Sequence, residues 1–410
     1  MSDNYSLDRG GEVRLLRPGC HLVSFVPTHP ALNDAALAPL VGVMRVVQED
    51  SLAVSGDLYR SGATPSWDSG ASQEVFVQPP RAKDGVPIFP IRAYDSYLRG
   101  LTLESVQGGR LRFCYERYTF RETGDWSYSG SFVAEFERAE PSYFSPSLDD
   151  DWVGLVRDIS GSVVGVLSIT WASATLRRAH LRIAAEDGAE VPLDNGQGID
   201  WITVMAAVGW ELNVSPPAPI VTIPDSGTWS EAKLHEAMYE SLGDVDHDFE
   251  WCYRFLAVKK FDPAQLDPGS MGVMFDRAAD DLNQFSREGF AIAADFIFDN
   301  KFPPDIQGKR AGEVPGPYFR ASVHEFGHAL GLHHELNVPT FMAVTAAVAR
   351  IAGDVPFPEN IVYEFSPDSR LRLQHLPDIE VRPGGPFRNE RPGTDFVQLP
   401  PSPRFIRLGR

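Results

Sequence analysis

The sequence predicts an α+β chain in two parts: an antiparallel β-rich sandwich or barrel, followed by a unit that mixes strands with helices. Three observations predict it. Short runs of β-branched and aromatic residues recur through the first ~170 residues, separated by turn-like stretches such as QEDS, ETGDWS and DISGS. Helical spacing then appears among the strands. Finally, 410 residues exceed what one ordinary core organises. The boundaries drawn are 1–172 for the β-rich part, 173–380 for the mixed unit and 381–410 for a tail. Six prolines and six arginines in those last thirty residues suit an extended surface segment.

The β-rich part offers HLVSFVP, LVGVMRVVQ, SLAVSGDLY, RLRFCYERYTF, SGSFVAEFE, WVGLVRDI and SVVGVLSITWA as strands. Arg60–Pro90 is rich in Pro, Gly, Ser and Ala and reads as a long loop. From about residue 175, LRRAHLRIA reads as a strand. IDWITVMAAVGWEL and TWSEAKLHEAMYESL read as helices, the second capped by Ser230 or Thr228. Three strands follow in EWCYRFLAVKKFD, MGVMFD and GFAIAADFIFD. PYFRASVHEFGHAL is a helix that ends near Gly331, and SPDSRLRLQHL is a short helix with a serine cap.

A net charge of −19 argues against a nucleic-acid partner, because phosphate binding needs a basic surface. Hydrophobic content of 43% and charged content of 23% suit a folded protein. No stretch approaches the ~20 apolar residues of a membrane span, and the N-terminal residues hold no signal-like apolar run. The expectation is therefore a cytoplasmic protein or one exported without a leader. Cys20, Cys114 and Cys252 lie far apart with no CxxC pair and read as buried free thiols.

The chemistry concentrates in HEFGHALGLHHE, residues 324–335, which holds four of the ten histidines. His324, Glu325 and His328 form H-E-x-x-H. Residues four apart share a helix face, so both imidazoles can reach one ion. Glu325, rotated by about 100°, can place a carboxylate beside that ion rather than on it. A third ligand requires the chain to reverse, since ten helical residues would carry it about 15 Å along the axis. Gly331 can supply the reversal and bring a later histidine back. Three protein ligands and one open position mark a catalytic zinc.

These residues resemble the metzincin zinc peptidases, whose signature H-E-x-x-H-x-x-G-x-x-H is matched from His324 to His334. The resemblance implies zinc held by His324, His328 and His334, with Glu325 as general base and His333 left without a role. It implies a methionine turn at Met342, eight residues after His334. It implies a metzincin-like fold over about residues 175–380, a twisted mixed sheet plus active-site helix, with a substrate-pairing edge strand at Gly272, Val273 and Met274 in MGVMFD. No branch is assigned. Glu335 after the third histidine is astacin-like, whereas the methionine spacing is matrixin-like. Matrixin prosegments block zinc with a cysteine, but Cys20 in RPGC has a different residue order.

The remaining histidines, His21, His29, His180, His235, His247 and His375, read as surface or core residues. Asp149–Asp151 and Asp276 with Asp280–Asp281 read as solvated acidic turns, and no glycine-rich repeat supports calcium. The expected function is a zinc endopeptidase acting on a protein or peptide. The alternative is a binding protein that works through its β-rich part and carries a weak or inactive zinc hydrolase.

Overall fold

The computed structural model describes residues 16–28, 38–48, 52–60, 86–106, 108–121, 124–139, 151–243, 245–277, 285–336, 338–351 and 354–386. Eight antiparallel strands open the chain: β1 (Gly19–Pro27), β2 (Leu40–Gln48), β3 (Leu52–Arg60), β4 (Tyr94–Val106), β5 (Arg110–Phe120), β6 (Trp126–Arg138), β7 (Asp151–Asp158) and β8 (Val163–Ser173). Each pairs with the next, and β8 returns to β1, so the barrel is closed and has no free edge. Alternate residues face inward, as with Leu111, Phe113 and Tyr115 on β5. With Phe25, Val54, Leu98, Phe136 and Trp152 they fill the interior.

Seven of these strands match predicted runs; β4 was missed. A register shift between Gly100 and Thr102 breaks its alternation, and that irregularity hides the strand from a period-two reading. Strands β2 and β3 are buried on both faces over most of their length. Their outer face lies under Val86, Phe89 and Ile379, which pack with Cys20, Val43 and Tyr59.

The second sheet contains β9 (Arg177–Ala185), β10 (Trp210–Val214), β11 (Ala218–Pro219), β12 (Cys252–Val258), β13 (Gly272–Val273) and β14 (Gly289–Ala293). Its order is β10-β9-β12-β14-β13, with β11 also on β9. All pairs are parallel except β13 with β14. Residues of β12 are buried throughout because both faces are covered. Tyr253, Phe255 and Ala257 face α1 (Trp201–Ala206) and α3 (Pro315–Ala329). Leu256 and Val258 face α2 (Glu231–Leu242), whose N-cap is Ser230. Three short helices follow: α4 (Thr345–Val348), α5 (Pro367–His375) and α6 (Asp378–Val381).

This architecture corrects the predicted α+β class. The chain is organised on a closed eight-stranded antiparallel barrel, and helix makes up only 18% of the described residues, in place of the metzincin-like twisted sheet and active-site helix taken as its frame. Helical spacing overstated the helices. IDWITVMAAVGWEL divides at Gly209 (φ 79°) into α1 and strand β10. The predicted strand GFAIAADFIFD stops at Ala293, and MGVMFD pairs over two residues only.

Asp276 corrects another expectation. It is fully buried and accepts from the backbone N–H of Glu288 at 2.6 Å and Gly289 at 3.2 Å, so it is no solvated turn. Asp149, Asp150, Asp280, Asp281 and His29 lie outside the described residues, as do 61–85 of the predicted loop and 387–410 of the tail. The three cysteines are free; Cys20 and Cys252 are buried and Cys114 is half-buried. No helix among the described residues is long and apolar enough to cross a membrane.

Candidate metal centre

Helix α3 begins with Pro315 at its first position, where a missing N–H costs nothing. Phe319, Val323 and Phe326 recur at helical spacing and face the sheet, with Phe326 packed against Trp201, Tyr253 and Phe290. Burying one such ring stabilises the helix by roughly 1.5–3 kcal/mol. That burial turns His324 and His328 to the opposite side and Glu325 towards β13.

The helix ends at a Schellman motif. Gly331 (φ 80°) donates its N–H to His328 O at 2.9 Å, and Leu332 donates to Gly327 O at 2.9 Å. The chain reverses there and returns His334. Its Nε2, that of His324 and that of His328 form a triangle with all three sides 3.1 Å. No other group of three or more potential ligands gathers this closely among the described residues. His333 lines the same cleft and stands outside the triad.

Chemistry decides what this triangle can be. His324 Nδ1 lies 2.8 Å from Phe341 O, and His328 Nδ1 lies 2.9 Å from Leu332 O. A carbonyl has no proton to give, so each Nδ1 is the N–H and each neutral ring turns its Nε2 lone pair inward. Burial, with His328 and Arg320 adding to it, holds His324 well below the usual histidine range and so neutral. Inward lone pairs 3.1 Å apart repel unless a cation lies among them. A triangle of that size leaves each nitrogen about 1.8 Å from its centre, compatible with Zn–N contacts of ~2.0–2.1 Å, so His324, His328 and His334 could together hold such an ion. The residues fit zinc.

Backbone and side-chain partners hold the ligands. Buried Arg320, one turn before His324, donates to Thr340 O at 2.6 Å, to Phe341 O at 3.2 Å, to Thr345 Oγ1 at 3.0 Å and also to Ala343 O. It thereby fixes the carbonyl that orients His324. Burial pulls Arg320 down to about 10, still charged at neutral pH. The returning arm is tied by Glu335. Its N–H donates to Met342 O at 3.0 Å, and its carboxylate accepts from Thr340 Oγ1 at 2.9 Å, Ser369 Oγ at 2.6 Å and Ser366 Oγ. Met342 is fully buried beneath α3, and a Cβ on Gly327 would collide with its sulfur.

Glu325 reaches the cleft beside Gly272. A Cβ at 272 would fall 2.5 Å from Glu325 Cγ, so glycine leaves the carboxyl its place. Burial pushes that carboxyl up to about 8, against the N–H of Met274 and the nearby charge of Arg277, which lower it. A divalent cation beside it would lower it further. Glu325, all four histidines of the motif, Gly272, Val273 and Met274 line one cleft of about 570 Å³, together with apolar Ile297, Phe302 and Val344.

The structure thus gathers every predicted ligand, the predicted base and the predicted edge residues, and places Met342 below them. The spacing of the motif did not reveal Arg320, the carbonyls of Phe341 and Leu332, or the anchoring of Glu335. Gly327 was a visible signal, since glycine inside a helix costs about 1 kcal/mol and marks a close approach. No family model matches the chain, and no curated protein matches its sequence.

Proposed function

We propose that this chain is a zinc-dependent endopeptidase, as its metzincin-like signature implies, with Glu325 as the general base. One observation carries the reading: three Nε2 atoms converge at 3.1 Å while the other nitrogens of His324 and His328 are committed to carbonyls. Zinc in that position supplies Lewis-acid charge that acidifies a water and polarises a peptide carbonyl.

The chain's own residues do the rest. Glu325, in reach of the same cleft, accepts the proton from the attacking water and passes it to the leaving amine. His324 and His328 stay fixed in orientation through Phe341 O and Leu332 O. Strand β13 is the end of its sheet, so a peptide can lie against its outer side in extended form. The N–H of Met274 is engaged with Glu325, which confines that pairing to the residues before it.

The test compares wild type with Glu325→Gln for zinc content and for cleavage of casein or a peptide library, with and without a chelator. Glu325→Gln should keep one zinc and lose nearly all cleavage. Full cleavage by that variant would sink the mechanism. A wild type that binds zinc but cuts nothing would favour a binding protein with a retired hydrolase.

A further inference from the structure

The cleft has a wall that comes from far along the chain. Leu376, Glu380 and Pro386 line it, and the segment they belong to lies against the Gly331 turn. The space a Cβ on Gly331 would take is filled by Glu380 O and by Arg287 Nη1, the latter 2.9 Å away. That turn separates His328 from His334, and the next residue supplies the carbonyl that orients His328.

Arg287 grips this segment. It is buried and keeps a left-handed backbone (φ 64°), a conformation that strains a non-glycine residue. Its guanidinium donates to Glu380 O at 2.7 Å, Arg382 O at 2.8 Å, Gly385 O at 3.1 Å and Ile379 O at 3.2 Å. It also reaches Ala329 O, at the end of α3, at 3.4 Å. A cation there complements the helix C-terminus. One side chain therefore ties the wall to the helix that carries two ligands.

The barrel holds the other side of the same segment. Trp126 on β6 donates its indole N–H to Glu380 Oε1 at 3.0 Å. Tyr59 on β3 donates to Asp378 Oδ2 at 2.7 Å, and Arg45 on β2 pairs with Asp378. Trp126 and Arg287 thus connect the barrel, through Glu380, to Ala329 O at the end of α3, two residues before the Gly331 turn that Glu380 O packs against.

We infer that Arg287 is a positioning residue for the metal centre, and that through residues 376–385 the barrel holds the His334 turn in place. This rests on the zinc reading above. It assigns to the barrel a part in building the site, carried by residues as far from the motif as Arg45, 279 positions before His324.

The experiment is a zinc titration against a chromophoric chelator, run on the full chain well below its melting temperature, for wild type, Arg287→Lys and Trp126→Phe. Lysine keeps the charge but holds its three donors on one atom, which cannot span the five carbonyls that the planar guanidinium reaches. Arg287→Lys should weaken zinc binding by about 10–100-fold, the usual cost of losing an orienting partner, and Trp126→Phe by several-fold. Cobalt in place of zinc should show weaker, shifted visible bands in Arg287→Lys. A purely structural role would lower the melting temperature of the metal-free protein and leave both readouts unchanged, and that result overturns the inference. If Arg287→Lys does not fold, Trp126→Phe decides it, since phenylalanine keeps an aromatic ring against Tyr94, Tyr97 and Phe120 while removing the N–H donor with part of the indole. A wild type that takes up no zinc refutes the zinc reading itself, which variants with unaltered affinity do not.

Discussion

Replacing Gly272 by alanine should separate catalysis from both folding and metal binding. Gly272 lies outside the left-handed region, so its backbone accepts alanine, and the stiffer unfolded chain favours the variant by ~0.4–1 kcal/mol. The new methyl group would sit 2.5 Å from Glu325 Cγ, 2.9 Å from Oε1 and 3.1 Å from Cδ. Carbon contacts prefer about 3.5–4.0 Å, so Glu325 must retreat by about 1 Å. Overpacking costs ~1–3 kcal/mol, and the open cleft keeps this case near the lower figure because the side chain can swing outward. Net stability should change by no more than about 1–2 kcal/mol, a melting shift of a few degrees in a chain of this size. A general base misplaced by about 1 Å loses roughly 100-fold in rate, equivalent to ~2.7 kcal/mol. The assay measures kcat and KM on a cleaved peptide, zinc per chain by atomic absorption, and the melting temperature. The expected outcome is a large fall in kcat with zinc and melting nearly unchanged. Wild-type kcat would refute the placement of Glu325, and zinc lost in parallel with activity would show that the histidines, not the base, had moved.

Other outcomes follow from the same geometry. His334→Ala should lose tight zinc binding while His333→Ala keeps it; equal affinities would reverse the ligand assignment. Gly331→Ala must adopt φ 80° and meets Glu380 O and Arg287, whereas Gly308→Ala adopts φ 77° with nothing within 4 Å. Gly308→Ala should therefore cost only the ~1–2 kcal/mol of the left-handed backbone. Gly331→Ala should cost more in denaturant melts and also weaken zinc binding; equal costs would mean the turn is not packed as described. His375 is buried beside Arg177 and Arg45, with Nδ1 2.9 Å from Ser55 Oγ, and burial holds it down to about 3. The folded form stays neutral while the unfolded chain takes up a proton below pH ~6.5. Stability should therefore fall as pH drops from about 6.5 towards 3, by at most ~1.4 kcal/mol per unit from this residue. His375→Gln should show a shallower fall in melting temperature over that window, and an unchanged slope would exclude the effect.

The ligand set was legible because its information is local. Eleven consecutive residues, His324 to His334, hold three ligands, the base and the glycine break, and helix geometry converts their spacing into a shared face. The barrel's frame was only half legible. Alternation marks individual strands such as β5, but closure depends on β1 meeting β8, a pairing of Cys20 with Ser173 across the whole barrel. No local pattern distinguishes that from a sandwich. Strand β4 was invisible because of its bulge, and β10 was absorbed into a helix pattern that ends at Gly209. The wall of the cleft left no trace at all. Arg287 and Glu380 are 93 residues apart, and nothing in either neighbourhood announces the other.

The two kinds of support beneath the histidines also set how the centre comes apart. His324 and His328 share a helix whose underside is packed into the core, whereas His334 is exposed on an arm moored through Glu335 to Thr340, Ser366 and Ser369. Opening that arm requires those bonds and the packing of Glu380 and Arg287 against Gly331 to give way; opening the helix requires the core to yield. The lifetime of the loaded site is then governed by the arm. A chelator should strip it at a rate that tracks the mooring of Glu335 and the grip of Arg287 behind the turn, and that depends little on how firmly α3 is packed.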